Sequence, residues 1–276
     1  PFSSWRYSSW WECWGWGFSR GAPLSKRGSV KTLLVDIETA PNKAYVWGLF
    51  KQNVALSQLE ASSYTLCWAA QWLGAERIDF ASVQKGKGGE RRMLRSIHTR
   101  LDAADVVIHY NGLKFDIPTL NKEFVRFGML PPSPYKQIDL MQVCKRAFRF
   151  ESNKLAYVLE VLGLRPKVKH EGFLLWVKCM AGDPEAWRMI ERYNRGDVEG
   201  LRDLYQRLLP WISKHPNLSA LTDIECCPKC GSVEYQSRGE VLTTTLRYRR
   251  YQCNVCGGWF RGTKSTSPRV KRMVNV

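Results

Sequence analysis

Apolar and polar positions follow two different periods along this chain, and the change between them predicts an α/β fold. Residues 32–35 form a short apolar and β-branched run that stops before Ala40-Pro41, and residues 106–109 form a second run, as expected of buried strands. Between residues 183 and 210 the apolar positions recur instead at spacings of three and four, which predicts one long helix. Asp183-Pro184-Glu185 supplies a helix-starting sequence for it.

The same two periods predict the remaining elements of the fold. Strands are expected at 44–49, 65–73 and 77–83, so that the sheet begins antiparallel, and helices at 90–103, 138–148, 154–162 and 172–180. The Gly-rich segment 85–89 lacks the spacing of a phosphate-binding loop and is interpreted as an ordinary loop. No apolar run approaches about 18 residues, so no membrane span is predicted.

Two carboxylates lie at the end of the first predicted strand. Asp36 and Glu38 are two positions apart, and alternate side chains of a strand point to the same face. Carboxylates side by side at the end of an apolar strand repel each other and lose hydration, which is costly unless a cation lies between them. The pair therefore indicates a metal site.

A third carboxylate, Asp116, follows the second strand. The chain turns there through Asn111-Gly112 and enters a helix that carries Pro118 in its first turn. At a helix N-terminus an anion is favoured by the free N–H groups. Asp116 has two interpretations at this stage, a functional carboxylate or no more than an N-cap.

The long helix carries a phenol and a carboxylate four residues apart. Tyr193 and Asp197 share a face with Leu201, Leu204 and Leu208, the stripe expected to pack against the sheet. A carboxylate on a core-facing stripe needs a partner. The alternative to a functional site is a salt-bridged Asp beside an ordinary core Tyr.

The order of these motifs resembles a known family. A D-x-E strand, a strand-turn-Asp-helix segment and Y-x3-D on a late helix are similar to the DEDDy branch of the DnaQ-like 3′-to-5′ exonucleases in the RNase H-like superfamily. The resemblance covers about residues 31–213 and implies a mixed central sheet with flanking helices. Tyr193 with its three-residue gap distinguishes this branch from the one with His in an H-x4-D motif.

The resemblance also implies roles for the matching residues. Asp36, Glu38 and Asp197 would hold one Mg²⁺ or Mn²⁺, and Asp36 with Asp116 a second, since oxygen-only ligands favour these ions over zinc. Tyr193 would orient the attacking water, because a neutral phenol is a poor base near pH 7. The terminal nucleotide would be bound at Thr39 and Asn111, although Asn111 is equally interpreted as a turn residue.

Cysteine spacing predicts a second, smaller module of β structure. Cys227 and Cys230, then Cys253 and Cys256, form two C-x2-C pairs with a Thr- and Tyr-rich alternating segment between them, as in a zinc ribbon with one structural Zn²⁺. Cys226 could replace Cys227, but the Gly after Cys230 favours the first register. The remaining five cysteines are scattered and odd in number, which indicates a reducing cytosol. The resemblance to bacterial and bacteriophage exonucleases implies that this is the cytosol of a bacterium or of an infected bacterial host.

Charge indicates the partner. The chain has a formal net charge of +17, and residues 227–276 contain ten basic residues against two acidic ones. Arg247, Arg249 and Arg250 alternate with tyrosines, a mixture suited to phosphate contact and base stacking. The alternative is a hairpin edge kept soluble by charge.

These observations predict five segments. They are a Trp-rich leader without defined structure or of doubtful assignment (1–30), an RNase H-like exonuclease domain (31–213), a linker (214–223), a four-cysteine zinc ribbon (224–262) and a basic tail (263–276). The expected activity is removal of nucleotides from the 3′ end of single-stranded nucleic acid, DNA in the first place. The arrangement resembles small exonucleases of bacteriophages and bacteria, with replication or repair proteins as candidate partners. The alternatives are an RNA- or structure-specific nuclease of the same fold, or a non-catalytic protein that binds nucleic acid through its ribbon.

Overall fold

The computed structural model of the chain describes residues 30–84, 88–268 and 273. The predicted leader (apart from Val30), the middle of the Gly-rich loop at 85–87 and most of the basic tail beyond Pro268 lie outside these residues.

The described residues form an α/β fold, as predicted. Its strands are β1 (Thr32–Thr39), β2 (Lys43–Ala44), β3 (Leu59–Ala61), β4 (Thr65–Trp72), β5 (Ile78–Ser82), β6 (Val106–His109), β7 (Lys136–Asp139), β8 (Tyr235–Leu242), β9 (Arg247–Cys253) and β10 (Trp259–Ser265). Its helices are α1 (Gly89–Asp102), α2 (Asp116–Arg126), α3 (Leu140–Ala147), α4 (Leu155–Val161), α5 (Leu174–Met180), α6 (Pro184–Leu208) and α7 (Leu218–Thr222). None of these helices has the length and apolarity that crossing a membrane requires.

A five-stranded mixed sheet forms the centre of the main body, in the order β5-β4-β1-β6-β7. Strands β5, β4 and β1 are antiparallel, as expected, while β1, β6 and β7 are parallel. Because β1 is the middle strand, both of its faces are buried. Leu34 faces the core that includes Leu201 of α6, whereas Leu33 and Val35 face α1 and α2. By alternation, Asp36 and Glu38 lie on the α6 side.

Two predicted elements are wrong in part. The strand expected at 44–49 is limited to Lys43–Ala44, which pairs with β3, and Trp47 and Leu49 beyond it are almost fully exposed. These residues lie outside the sheet, so their apolar character alone led to a wrong strand prediction. The helix expected from residue 138 begins at Leu140, because Ile138 and Asp139 belong to β7. That short strand is completed by pairing with β6, a contact that no local pattern reveals.

The C-terminal module is a three-stranded antiparallel sheet in the order β10-β9-β8, which carries the cysteine pairs at one end. Its first C-x2-C pair lies next to the turn that follows α6, where the ammonium of Lys229, between Cys227 and Cys230, donates to the backbone carbonyl of Pro210. The segment expected as a linker contains α7, capped by the Asn217 side chain. The ribbon module therefore rests against the main body next to the helix that carries Asp197.

Candidate active site

Three carboxylates from two elements converge at the end of β1. Helix α6 crosses the face of the sheet that carries Asp36 and Glu38, and it places Asp197 opposite them. One carboxylate oxygen from each of the three residues lies within 4.8 Å of the others. The arrangement has the donor type and proximity that a divalent cation requires.

Burial and mutual repulsion disfavour the charged forms of these carboxylates. It raises the Asp36 pKa well above the usual range, and the charges of Asp197, Asp116 and Glu38 raise it further. The pKa of Glu38 rises from 4.5 to about 8, mainly through burial and then through Asp197. Burial also raises the Asp197 pKa, although Lys167 partly offsets the effect. A bound cation would stabilise the charged forms of all three groups.

Asp116 lies at the start of α2 but does not occupy the N-cap position. Phe115 is the N-cap, and Asp116 is the first helical residue and is 3% exposed. Its Oδ1 accepts a hydrogen bond from the backbone N–H of Ile37, at 3.2 Å. Burial raises the Asp116 pKa to about 7 despite this bond. The carboxylate is thus fixed beside β1 between the positions of Asp36 and Glu38, and its charge contributes to the raised Asp36 pKa.

Tyr193 lies one helical turn before Asp197, and both contact Lys167. The Lys167 ammonium donates to the Tyr193 hydroxyl at 2.9 Å and lies 2.7 Å from Asp197 Oδ2. Burial would lower the Lys167 pKa, but Asp197 and Tyr193 more than offset it, so that the net pKa is raised. Burial raises the Tyr193 pKa to about 12. The phenol is therefore neutral and its oxygen is held in place by a cation.

Three further side chains complete the cluster. Asn194 Nδ2 donates to Asp36 Oδ2 at 2.6 Å, and Trp176 Nε1 donates to Glu38 Oε2 at 3.0 Å. The rings of His170, Trp176 and Tyr193 contact each other edge to face, with centroids 4.7–6.1 Å apart. Each donor fixes the orientation of one carboxylate, and the rings form one wall of the site.

Sequence reasoning missed Lys167, His170, Trp176 and Asn194. Asn194 could have been found, because it lies three residues before Asp197 on the face of α6 that meets the sheet. Lys167 and His170 belong to an irregular segment between α4 and α5 and carry no periodic signal.

The two residues predicted to bind the terminal nucleotide lie at the ends of β1 and β6. Thr39 is the last residue of β1, beyond a register shift in the pairing with β4, and is partly exposed. Asn111 has a φ of 65°, as expected of a turn residue, and donates its backbone N–H to Asp139. Its side-chain Oδ1 is buried without a hydrogen-bond partner among the described residues. The φ angle and the backbone hydrogen bond fit a turn residue, and an oxygen that solvent does not reach gives no separate support for substrate binding.

The four cysteines of the two C-x2-C pairs also converge. Their sulfur atoms lie within 4.8 Å of one another, and Cys226 is not part of the group. The Cys230–Cys253 and Cys227–Cys256 sulfurs are 3.5 and 3.7 Å apart, too far for disulfides. A tetrahedron with metal–sulfur bonds of about 2.3 Å has an edge of about 3.8 Å. The spacing is close to that of a four-thiolate metal site.

The three arginines predicted to contact substrate lie on β9 but have different surroundings. Arg247 lies 3.8 Å from Glu240, and Arg249 lines a cavity of about 560 Å³ between the ribbon and α7. Arg250 lies over the ring of Trp259, with 4.8 Å from the guanidinium to the ring centroid.

Comparisons with known proteins agree with the fold of the main body. A family model described as RNase_H superfamily, RNase_H_2, matches residues 33–209, a range that contains all five motif residues but not the ribbon. A solved structure, the family B DNA polymerase from the hyperthermophilic archaeon Pyrobaculum calidifontis, aligns with a TM-score of 0.51 and 15% identity over 81% of this chain and 33% of the polymerase chain. This chain thus spans about a third of that polymerase, and the likeness is one of fold. No curated protein sequence matches the chain.

Proposed function

The chain belongs to the RNase H superfamily, and we propose that it is a metal-dependent 3′-to-5′ exonuclease of the DEDDy type that acts on single-stranded nucleic acid, DNA in the first place. The observation that carries the proposal is the convergence of Asp36, Glu38 and Asp197 oxygens within 4.8 Å, beside a neutral Tyr193. Metal-assisted phosphodiester hydrolysis uses clustered oxygen ligands for the ions together with a polar group that positions the attacking water.

The residues of the site fit divalent metal ions. Asp197 Oδ1 is buried and has no hydrogen-bond partner among the described residues, so it is available as a ligand. Asp36, Glu38 and Asp197 would hold one Mg²⁺ or Mn²⁺, and Asp36 with Asp116 a second. When bound, such ions activate water and stabilise the charge that develops on the transferred phosphate.

The protein's own side chains position the reactants. The Tyr193 hydroxyl, held by the Lys167 ammonium, orients the attacking water, and its pKa of about 12 makes it unsuitable as a base. Asn194 and Trp176 fix the carboxylates of Asp36 and Glu38. Thr39 and Asn111 bind the terminal nucleotide under the proposal.

The ribbon supports this activity in two ways under the proposal. Cys227, Cys230, Cys253 and Cys256 hold one Zn²⁺, which replaces the core that a module of this size cannot build. The basic side chains of β9, including Arg247, Arg249 and Arg250, attract the substrate, which the acidic cluster would otherwise repel.

Degradation of labelled single-stranded oligonucleotides tests the proposal. With Mg²⁺ or Mn²⁺, 5′-labelled DNA should give a ladder that shortens from the 3′ end, and a blocked 3′ end should prevent it. Asp36→Asn should abolish the ladder, whereas Glu76→Gln, which removes an exposed carboxylate, should leave it unchanged.

The same experiment with RNA and with branched or duplex substrates separates the alternatives. Faster degradation of RNA or of a junction would move the proposal to another substrate of the same active site. Intact substrates throughout, with both metals, would refute the nuclease and favour a binding protein that acts through its ribbon.

A further inference from the structure

The arginines and aromatic residues of the ribbon are sorted onto opposite faces of its sheet. Side chains of β9 alternate, so Tyr248 and Arg250 point to one side and Arg249 and Tyr251 to the other. Across the β9–β10 ladder Arg250 is paired with Arg261, and Gln252 with Trp259. We define the ladder face by Tyr248, Arg250, Trp259 and Arg261.

Cations and rings interleave on the ladder face. The guanidinium of Arg261 lies 4.0 Å from the ring centroid of Tyr248, and that of Arg250 lies 4.8 Å from the ring centroid of Trp259. Arg250 also donates from Nε and Nη2 to the backbone carbonyl of Arg238, at 3.1 and 3.0 Å. Both arginines are exposed, and the Trp259 side chain is 47% exposed. Among the described residues, neither guanidinium forms an ion pair with a carboxylate.

The opposite face of the sheet has a different arrangement of rings and charges. Its rings, Tyr235, Tyr251 and Phe260, pack against each other with centroids 5.2–5.6 Å apart. Glu240, the one acidic residue within the three described ribbon strands, is paired in register with Arg249 and lies close to Arg247. On this face the rings contact one another and line, with Arg249, the cavity of about 560 Å³ next to α7, and part of the charge is neutralised by Glu240.

From this asymmetry we infer that the ladder face is a binding platform for single-stranded nucleic acid, an inference that rests on the proposed function and specifies how the ribbon serves it. Arginines that are oriented but not neutralised suit phosphates, and exposed rings offer stacking surfaces that every base can use. A duplex hides its base faces, so it cannot use the rings in this way. The ribbon adjoins Pro210, thirteen residues after Asp197, or about 20 Å along the helix direction. The platform thus binds the strand at a distance from its 3′ end.

Two charge-matched double variants test the inference in the full chain. In a Glu38→Gln background, which prevents degradation, anisotropy of a labelled oligothymidylate of about 30 nucleotides gives the affinity between about 50 and 200 mM salt. Arg250→Gln with Arg261→Gln should weaken binding at least about tenfold and flatten the slope of log affinity against log salt by about 1.4. Arg247→Gln with Arg249→Gln removes the same charge from the opposite face, where we expect long-range attraction of the strand but no direct phosphate contact, and should weaken binding less than about threefold. An equal effect of the two pairs, or no effect of the ladder pair, would overturn the inference.

The aromatic contribution is tested separately. Trp259→Ala should weaken binding several-fold without changing the salt slope, because it removes stacking and no charge. Thermal unfolding of each variant shows whether the ribbon is folded. If Trp259→Ala does not fold, the comparison of the two arginine pairs alone tests the inference. A blunt duplex bound as tightly as the single strand would contradict the single-strand preference. Because binding is read without hydrolysis, this inference can fail while the exonuclease proposal stands, and the converse also holds.

Discussion

Replacement of Glu38 by Gln should stabilise the metal-free protein while it destroys the metal site. The Glu38 pKa is raised from 4.5 to about 8 by burial and by Asp197. A carboxyl group with a raised pKa in the folded state costs nothing below pH 4.5, and its cost grows as the pH rises towards the folded value. Gln has nearly the same shape, cannot ionise, and can still accept the hydrogen bond from Trp176.

The magnitude follows from the difference between the two pKa values. Near pH 7.5 the solution is about three pH units above the unfolded-state pKa of Glu38. The largest destabilisation that its ionisation can cause is therefore about 4 kcal/mol. Part of the Glu38 side chain still faces solvent, so we expect roughly 2 to 3 kcal/mol, or about 5–10 °C in Tm for a chain of this size.

Thermal unfolding at two pH values, with and without Mg²⁺, measures the effect. Without Mg²⁺, Glu38→Gln should exceed the parent in Tm near pH 7.5 and match it near pH 4.5, with Glu76→Gln as the exposed control. Added Mg²⁺ at a hundred times its Kd should stabilise the parent by about 2.7 kcal/mol and so raise its Tm, and it should raise the Tm of the variant far less. A variant no more stable than the parent near pH 7.5, or a gap of the same size at both pH values, would refute the reasoning.

The remaining predictions concern the residues around the carboxylates and the ribbon. Tyr193→Phe should lower kcat by about 10²-fold or more, because the hydroxyl positions the attacking water. The affinity for Mg²⁺, measured by calorimetry, should stay within about twofold, because the hydroxyl is not expected to be a ligand. A parallel loss of kcat and of Mg²⁺ affinity would instead assign Tyr193 to metal binding. Asn194→Ala should weaken Mg²⁺ binding about 10–100-fold by releasing Asp36, and unchanged affinity in a folded variant would exclude the orienting role. Cys227→Ser should remove the bound zinc, read by metal analysis, whereas Cys226→Ser at the neighbouring position should retain it; loss in both, or in neither, would contradict the assigned ligands.

Much of the active site could be predicted from local sequence. Asp36 and Glu38 share a face because strand side chains alternate, and Tyr193 and Asp197 share a face because helical positions four apart do. Asp183 and Pro184 start α6 as expected, with the Asp183 carboxylate accepting the N–H groups of Glu185 and Ala186. Such features depend on neighbours within a few residues, so the sequence contains them directly.

Contacts over long sequence distances were not accessible in this way. Local sequence left Asp116 as either a functional carboxylate or only an N-cap, and it contained no sign of the bond from Ile37, 79 residues away, that joins this carboxylate to β1. Lys167 is similar, because it belongs to an irregular segment and gains its role from Tyr193 and Asp197 on another element.

The sequence by itself determined the fold class, the order of the acidic motifs and the pairing of the cysteine knuckles, because each is specified by a short-range period or spacing. Only the tertiary structure decided that α6 brings Asp197 to β1, that Asn194 and Trp176 hold the carboxylates, and that β10 places Trp259 and Arg261 beside Arg250. Packing across the sheet and strand pairing in the ribbon bring together residues that are far apart in the chain. The free energy of these contacts depends on burial and on neighbouring charges, which no local sequence pattern contains.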